Sequence, residues 1–391
     1  MKPQDVSNTA WAFAIVGIQH TEFLDAVAVE LERRLRLFTP QETANALWAL
    51  ATLDHCPPNL LYRLESGIVN MQRYSKDARF WTTRSISKIW KRQELANLAW
   101  VCAVFGEYPM DLIKMIYMGL LGVGDDPSPD AVTECHATAG LGPDDGISAT
   151  IVMSVTYLQM MMDLDPSIPG KRIHLPTDFP DDWLRRSTTG GQSVPSRYMG
   201  ATTAETEDLL EVYRSDRDKT GDLQLFRSNL QQTVSDALNR VGFDHVEEYV
   251  FDMATLAKDY GILSAGFDGN ENKRSSEILS LDMANVPGRI GVEVDGPGHF
   301  IINIDHLHDL NDDNYKQAEV YTNGNGRTEI VFGWNSNSTR IVVKKNGPTA
   351  LKSRLLKAMG WTIHNIPFWE WKDVDGDLEA EEEYCRSRLF Q

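Results

Sequence analysis

The sequence predicts an α+β protein, with a row of helix pairs in the amino-terminal third and a mixed helix–strand domain at the carboxyl end. Three observations carry this. The core Asn-x-x-Trp occurs at Asn8–Trp11, Asn45–Trp48 and Asn97–Trp100, each time inside an alanine-rich run. Residues 277–295 alternate with a period of two on either side of a turn, as a hairpin does. Between these regions the chain turns to Gly, Pro and Asp, which suit neither element.

A chain of 391 residues is long enough for two or three units with cores of their own. Its 42% hydrophobic and 24% charged residues match globular proteins. The longest apolar run, Ile147 to Met162, is interrupted by Ser148, Thr150, Ser154, Thr156 and Gln159. It also falls short of the roughly 20 apolar residues of a membrane span. Cys56, Cys102, Cys135 and Cys385 have neither the density of a disulfide scaffold nor zinc-site spacing, so reduced thiols are expected. The net charge is −18 and unevenly spread: residues 1–125 balance, residues 126–276 carry −12 and residues 277–391 carry −6. That sum opposes simple phosphate binding, but it spares the amino-terminal region.

Taken in order, Val6 to Ala14 reads as an apolar helix of the folded protein and not as an Arg- and Ser-rich targeting segment. Each Asn-x-x-Trp helix is followed by a second amphipathic segment: His20 to Leu37, Pro58 to Val69 and Pro109 to Leu121. The first two cores lie 37 residues apart and the next two 52 apart. Helix pairs at a period near 37 indicate an α-solenoid over residues 1–121, in which small residues let neighbouring helices approach and the three tryptophans serve as core. The extra length of the third unit is basic: Arg73, Lys76, Arg79, Arg84, Lys88, Lys91 and Arg92 stand against Asp77 alone, interleaved with Tyr74, Phe80, Trp81 and Trp90. Cations beside rings suit single-stranded RNA, and the competing reading is a solvated loop anchored by its aromatics. Arg73, Tyr74, Arg79, Trp81, Arg84, Lys88, Lys91 and Arg92 are the resulting RNA-contact candidates.

Residues 122–221 form a linker with one helix at 147–162, whose methionines suit a core, and an irregular Pro- and Gly-rich segment. A polar helix follows over about Thr206 to Arg214. From residue 222 the carboxyl-terminal domain begins. Leu225 to Val241 is an amphipathic helix stopped by Gly242. Glu277 to Met283 alternates with Ile278, Ser280 and Asp282 on one face, Asn285 to Gly288 turns, and Arg289 to Asp295 places Glu293 and Asp295 opposite Ile290, Val292 and Val294. Such a hairpin gathers Asp282, Glu293 and Asp295 on one surface. Leu351 to Met359 is a helix ended by Gly360, and Trp361 to Ile366 a buried-type strand.

The ordered stretches Gln231-Gln-Thr-Val234, Val292-Glu-Val-Asp-Gly-Pro-Gly-His-Phe300, Asn346-Gly-Pro-Thr349 with Leu351 to Leu356, and Gly360-Trp361 with Ile366-Pro-Phe-Trp-Glu-Trp371 resemble the RAP domain over 222–391. An acidic, Asn-rich insertion at about 301–345 departs from that pattern. The amino-terminal pairs resemble octotricopeptide-like repeats. The resemblance implies a restriction-endonuclease-like α/β core for the carboxyl domain and an RNA-binding protein of mitochondrion or plastid. Its work would lie in RNA processing, stability, translation or mitoribosome assembly. Lys352 and Arg354 join the RNA-contact candidates.

The same resemblance sets Asp282, then Glu293 and Asp295, at the metal-binding carboxylates of a nuclease, with His299 close by. Carboxylates so grouped hold Mg²⁺, and a histidine moves a proton. The lysine usual at the position of Asp295 is missing, so binding without cleavage is the leading expectation, with no cofactor required and Mg²⁺ only for a nuclease. The alternatives are a Mg²⁺-dependent endoribonuclease and an acidic protein-interaction scaffold. The expected partners are single-stranded organellar RNA and ribosomal or RNA-processing proteins, with no membrane.

Overall fold

A computed structural model describes residues 1–71, 86–121, 148–168, 179–180, 183–184, 229–263, 277–303, 315–322, 328–334 and 340–389. The chain divides into two compact units, residues 1–193, 252–276 and 299–355, and residues 194–251, 277–298 and 356–391. These units cut across the boundaries expected at 121 and 221. The linker over 122–146, the helix over 206–214 and the start of the helix from 225 lie outside the described residues.

In the first unit, α1 (Pro3–Val16), α3 (Pro40–Thr52) and α5 (Arg92–Phe105) each lead to a partner, α2 (Thr21–Arg34), α4 (Leu60–Asn70) and α6 (Met110–Leu121). Successive first helices pack on one another, α1 on α3 and α3 on α5, and α7 (Ala149–Leu164) continues the series on α5. The sequence explains why they can. Ala10, Ala44, Ala46, Ala49, Ala96, Ala99 and Ala103 are fully buried, and side chains this small let helix backbones approach. Trp48 and Trp100 fill the space between their helices, with ring centroids 6.2 Å apart.

The starts of these helices are built alike. The backbone N–H of Lys2 donates to Asp5 at 3.0 Å, that of Thr39 to Glu42 at 2.7 Å and that of Lys91 to Glu94 at 2.8 Å. An acid at the third helical position thus satisfies the N-cap amide and complements the helix dipole each time. Burial raises the pKa of Glu94 against the bond from Lys91. The second helices α2, α4 and α6 also pack in succession. Here acids reach between pairs: Glu107 accepts from Leu61 N–H at 2.8 Å, and Glu65 from Asp111 N–H at 2.8 Å, which satisfies the orphan amides of α4 and α6.

A five-stranded sheet, in the order β1-β5-β8-β7-β6, completes this unit. Its strands are β1 (Ile18–Gln19), β5 (Phe300–Asn303), β6 (Tyr315–Thr322), β7 (Thr328–Trp334) and β8 (Arg340–Lys345). The insertion at 301–345 is therefore largely a run of antiparallel strands, which its Asn- and Asp-rich composition did not announce. It is tied to the helix pairs through β1, which pairs parallel with β5 as Ile18 with Ile302 and Gln19 with Asn303. The Asn303 amide donates to Gln19 Oε1 and Thr21 Oγ1 at 3.3 Å, and Lys344 Nζ donates to Asp54 O at 3.2 Å. Helix α9 (Met253–Tyr260) belongs here too; just beyond it, Leu263 N–H donates to Asp163 of α7 at 2.9 Å.

Next, α10 (Gly347–Ala358) starts against α3. Asn346 Oδ1 accepts from Thr349 N–H at 3.0 Å as its N-cap, and a Cβ on Gly347 would stand 2.0 Å from Ala51 O. No side chain fits there.

The second unit is built on the sheet β2-β3-β4-β9, comprising β2 (Val246–Asp252), β3 (Glu277–Asn285), β4 (Ile290–Asp295) and β9 (Thr362–Pro367). β4 runs antiparallel to β3 and parallel to β9, and α10 lies between β4 and β9 in the chain. The turn expected at 285–288 forms, with Asn285 Oδ1 accepting from Gly288 N–H at 2.8 Å. Val234, Ala237 and Leu238 of α8 (Asn229–Arg240) pack on Met283, Val292, Val294 and Ile366. Trp371, at the end of α11 (Phe368–Lys372), and Cys385 of α12 (Leu378–Leu389) close this core, and the Trp371 indole N–H donates to Thr233 Oγ1 at 2.9 Å. Among the described residues Cys56, Cys102 and Cys385 form no disulfide, and burial pushes the Cys385 thiol up to about 11.

The contact at Gly347 gives a direct test. Gly347→Ala should destabilise the protein by about 3 kcal/mol, since only backbone movement can relieve the overlap. Gly296→Ala, whose Cβ meets nothing within 4 Å, should change stability by less than about 0.5 kcal/mol. Urea unfolding of both variants checks the pair, and equal midpoints would refute the close approach of α10 to α3.

Candidate nucleic-acid interface

Two groups of residues stand out from the sequence, the carboxylates of the second unit and the cations and amides of the first.

Val292 and Val294 face the core beneath α8, so strand alternation sends Glu293 and Asp295 to the other face of β4. There Asp295 is fully buried and accepts from the Asn365 amide on β9 at 2.8 Å, while Glu293 lies opposite Asn365 in the ladder. Asp282 does not join them. The β3–β4 pairing registers Met283, Ala284 and Asn285 against Val292, Gly291 and Ile290. Beyond Met283 the Asp282 side chain takes over: its Oδ2 accepts from Val294 N–H at 2.7 Å and its Oδ1 from the Gln231 amide of α8 at 2.8 Å. Leu281 instead reaches the side of Gly291, where a Cβ would come within 2.8 Å of Leu281 Cδ2.

The regular alternation expected for Glu277 to Met283 is therefore broken at Asp282, and the surface expected to gather Asp282, Glu293 and Asp295 is not formed. Both Asp282 oxygens are occupied by donors of the fold, so these residues do not fit a shared Mg²⁺. Among the described residues no three His, Cys, Asp or Glu side chains are grouped to hold a metal. His299 ends a short 3₁₀ turn in the first unit, where its carbonyl accepts from Asn346 N–H at 3.0 Å.

Of the expected cations, Arg73, Arg79 and Arg84, with Tyr74 and Trp81, lie outside the described residues. Lys88 and Lys91 are exposed and Arg92 half-buried at the entry to α5. The segment is anchored by Ile86, fully buried, and Trp90, 1% exposed. Lys352 is half-buried on α10. Arg354 serves the fold: its guanidinium donates to Val104 O at 2.5 Å and Ala103 O at 3.3 Å, the last carbonyls of α5. A cation at a helix C-terminus satisfies orphan acceptors and the negative dipole end, so this side chain has a structural duty of its own.

The helix expected at 147–162 forms as α7, but reading by residue identity placed it in a linker and missed its place in the row. Counted from its N-cap Ser148, α7 places Ser154 and Tyr157 where the earlier helices place Asn8 and Trp11, Asn45 and Trp48, Asn97 and Trp100. The spacing persists after the residues change. In α5 the two polar positions touch, the Gln93 amide donating to Asn97 Oδ1 at 2.9 Å.

Residues 292–388 match the family model described as the RAP domain. The chain is also 22% identical over 407 residues to a protein of Oryza sativa subsp. japonica described as "RAP domain-containing protein, chloroplastic", an alignment covering 99% of this chain and 52% of that protein. The chain thus spans about half the length of this relative. No helix of the described residues is long and apolar enough to cross a membrane.

Two outcomes test this geometry. Asp282→Asn sets an amide N–H against one of two donors and should cost about 1–3 kcal/mol of stability, read by chemical denaturation with and without Mg²⁺. Stability that is unchanged without the metal, or lost only in its presence, would restore the metal site. His364, on β9 opposite Val292, has its pKa lowered by burial and by the nearby Arg388 charge. Below about pH 6.5 the unfolded chain therefore binds more protons at this ring, and stability falls as pH falls. His364→Gln should flatten the acid limb of a plot of Tm against pH.

Proposed function

We propose that this chain is an organellar RNA-binding protein acting in plastid or mitochondrial RNA metabolism. The observation that carries the reading is the union of a RAP domain with a row of stacked helix pairs in one chain. The RAP match brings the chain beside a relative described as chloroplastic, which favours the plastid. Stacked helix pairs offer an extended surface to an extended ligand, and the pairs are of the octotricopeptide-like kind. The basic, aromatic stretch from Arg73 to Arg92 supplies phosphate contacts and stacking rings in an otherwise acidic chain. RNA processing, transcript stability, translation or mitoribosome assembly is the process served, with ribosomal or RNA-processing proteins as further partners.

Binding, not cleavage, is the activity proposed for the carboxyl-terminal domain, whose restriction-endonuclease-like core serves as a platform. Support comes from Asp282, whose oxygens accept from Gln231 and Val294, and from Asp295 standing where a nuclease would carry lysine.

Crosslinking the protein to RNA in cells, followed by sequencing, tests the reading. Organellar transcripts should dominate the library, and replacing Arg79, Arg84, Lys88, Lys91 and Arg92 with Ala should weaken binding and flatten its dependence on salt. An empty library would favour an acidic protein-interaction scaffold. Products that form from the captured RNA with Mg²⁺ or Mn²⁺, and vanish in Glu293→Gln, would overturn the preference for binding.

A further inference from the structure

In the second unit, α8 meets the start of β2 through a chain of three groups whose protons can be counted. Ser235, fully buried on α8, places its Oγ 2.9 Å from His245 Nε2 and 2.6 Å from Glu247 Oε1. On the far side of the ring, His245 Nδ1 lies 2.8 Å from Phe243 O. A carbonyl only accepts, so Nδ1 carries a hydrogen. A serine hydroxyl has one hydrogen to give, and a carboxylate has none. If Ser235 donates to Glu247, its oxygen accepts from Nε2, and the ring is then an imidazolium. If Ser235 donates to Nε2 instead, the 2.6 Å contact with Glu247 needs a proton on the carboxyl group. In both cases the closed chain holds one proton more than a neutral histidine and an ionised glutamate hold apart.

The charges on the neighbouring elements favour the cation. Besides Glu247 there are Asp236 on α8, Asp244 and Glu248 beside the ring in the chain, and Asp282 on β3. The one cation among them, Arg240, is engaged by Glu381 and Glu382 of α12. Acid in excess stabilises a positive ring. The backbone is also bent to close the chain. Strand alternation would turn Glu247 and Glu248 to opposite faces. Glu248 instead has φ +48°, and both carboxylates bond to α8, Glu248 accepting from the Gln231 amide at 3.4 Å. A left-handed conformation is unfavourable for a residue with a side chain, so it persists only where its surroundings hold it. Gln231 and Ser235 are four apart, hence one above the other on α8. The same Gln231 amide donates to Asp282, which holds Val294 N–H, so the chain of three adjoins the joint between α8 and the hairpin.

We propose that Ser235, His245 and Glu247 form a proton-held latch that fastens β2 to α8, closing with the uptake of one proton and opening as pH rises above neutrality. The latch stands independently of the RNA-binding reading. Above about pH 6.5 a free imidazole is mostly neutral, so the unfolded chain lacks the proton that the folded unit holds. Stability is then greatest at the lower pH and falls as pH rises, until the ring gives up its proton in the folded unit. On opening, Nε2 loses its hydrogen to solvent, Ser235 turns its own hydrogen to Nε2, and Glu247 moves into water. The strain at Glu248 is released with it. His364 acts in the opposite sense, weakening the same unit as pH falls. Between them the two rings confine the firmest state of the unit to a band of pH.

The experiment is urea unfolding of the full chain across the neutral and alkaline range, comparing the wild type with Glu247→Gln, Ser235→Ala and the double variant. Glutamine keeps the length of Glu247 and brings an amide hydrogen for Ser235 Oγ, so the chain closes on a neutral ring without the extra proton. The unfolding constant of the wild type should therefore rise relative to that of Glu247→Gln by up to about tenfold per pH unit above about pH 6.5. His364 is common to both proteins and cancels. Once Ser235→Ala has cut the chain, adding Glu247→Gln should leave the pH profile unchanged. By NMR, the His245 signal, identified by its loss in His245→Gln, should stay in its protonated form to higher pH in the wild type than in Glu247→Gln. Parallel unfolding profiles for the wild type and Glu247→Gln overturn the latch. An effect of Glu247→Gln that persists undiminished in the Ser235→Ala background overturns it as well, because charge acting through space would then suffice. Should Ser235→Ala fail to fold, the Glu247→Gln profile and the His245 titration decide between them: a His245 signal that titrates alike in both proteins sinks the proposal.

Discussion

The first unit depends on how closely its first helices can approach. α3 and α5 must each lie against two neighbours in the row, and alanine at Ala10, Ala44, Ala46, Ala96 and Ala99 removes the side chains that would hold the backbones apart. What remains to be filled is narrow, and the rings of Trp48 and Trp100 fill it. This contact sets the faces of every helix in the row. The N-cap and its acid at the third position begin α1, α3 and α5 at the same point.

The second unit shows how a sequence signature can record a fold. Trp371 sits in the core with its indole N–H bonded to Thr233, and Gln231 and Asp282 join α8 to the hairpin. In the first unit Asn346 and Gly347 start α10 where only a hydrogen fits. These residues carry the family likeness, and each has a structural duty. A buried carboxylate such as Asp295 is tolerable because a neutral amide, Asn365, donates to it. Its chemistry is that of a satisfied group within a sheet.

Much of this was legible in the residues. The helix pairs follow from alanine and tryptophan recurring at fixed spacing, and the hairpin over 277–295 from alternation and the turn Asn285–Gly288. The failures have physical causes. Alternation presumes an unbroken ladder, and at Asp282 a side chain replaces a backbone partner, which reverses the face expected for it. Arg354 looked like a free cation because the carbonyls it caps lie 250 residues away in the chain. Helix α7 preserves the pattern as Ser154 and Tyr157, a polar residue and an aromatic one at the same spacing as Asn and Trp.

The pairing of β1 with β5 sets a condition on how the protein is made. Asn303 bonds to Gln19 across 284 positions of sequence. Closing so long a loop is entropically costly, and contacts of this kind form late and slowly. During synthesis at about 5–20 residues per second, the first helix pair emerges many seconds before the strand that completes its connecting loop. Over that interval Ile18 and Gln19 are an unpaired strand edge on a nascent chain, the kind of edge that invites association with other chains. Helix pairing can proceed from the amino end as the chain appears. The sheet cannot, and its closure marks the moment at which the first unit is finished.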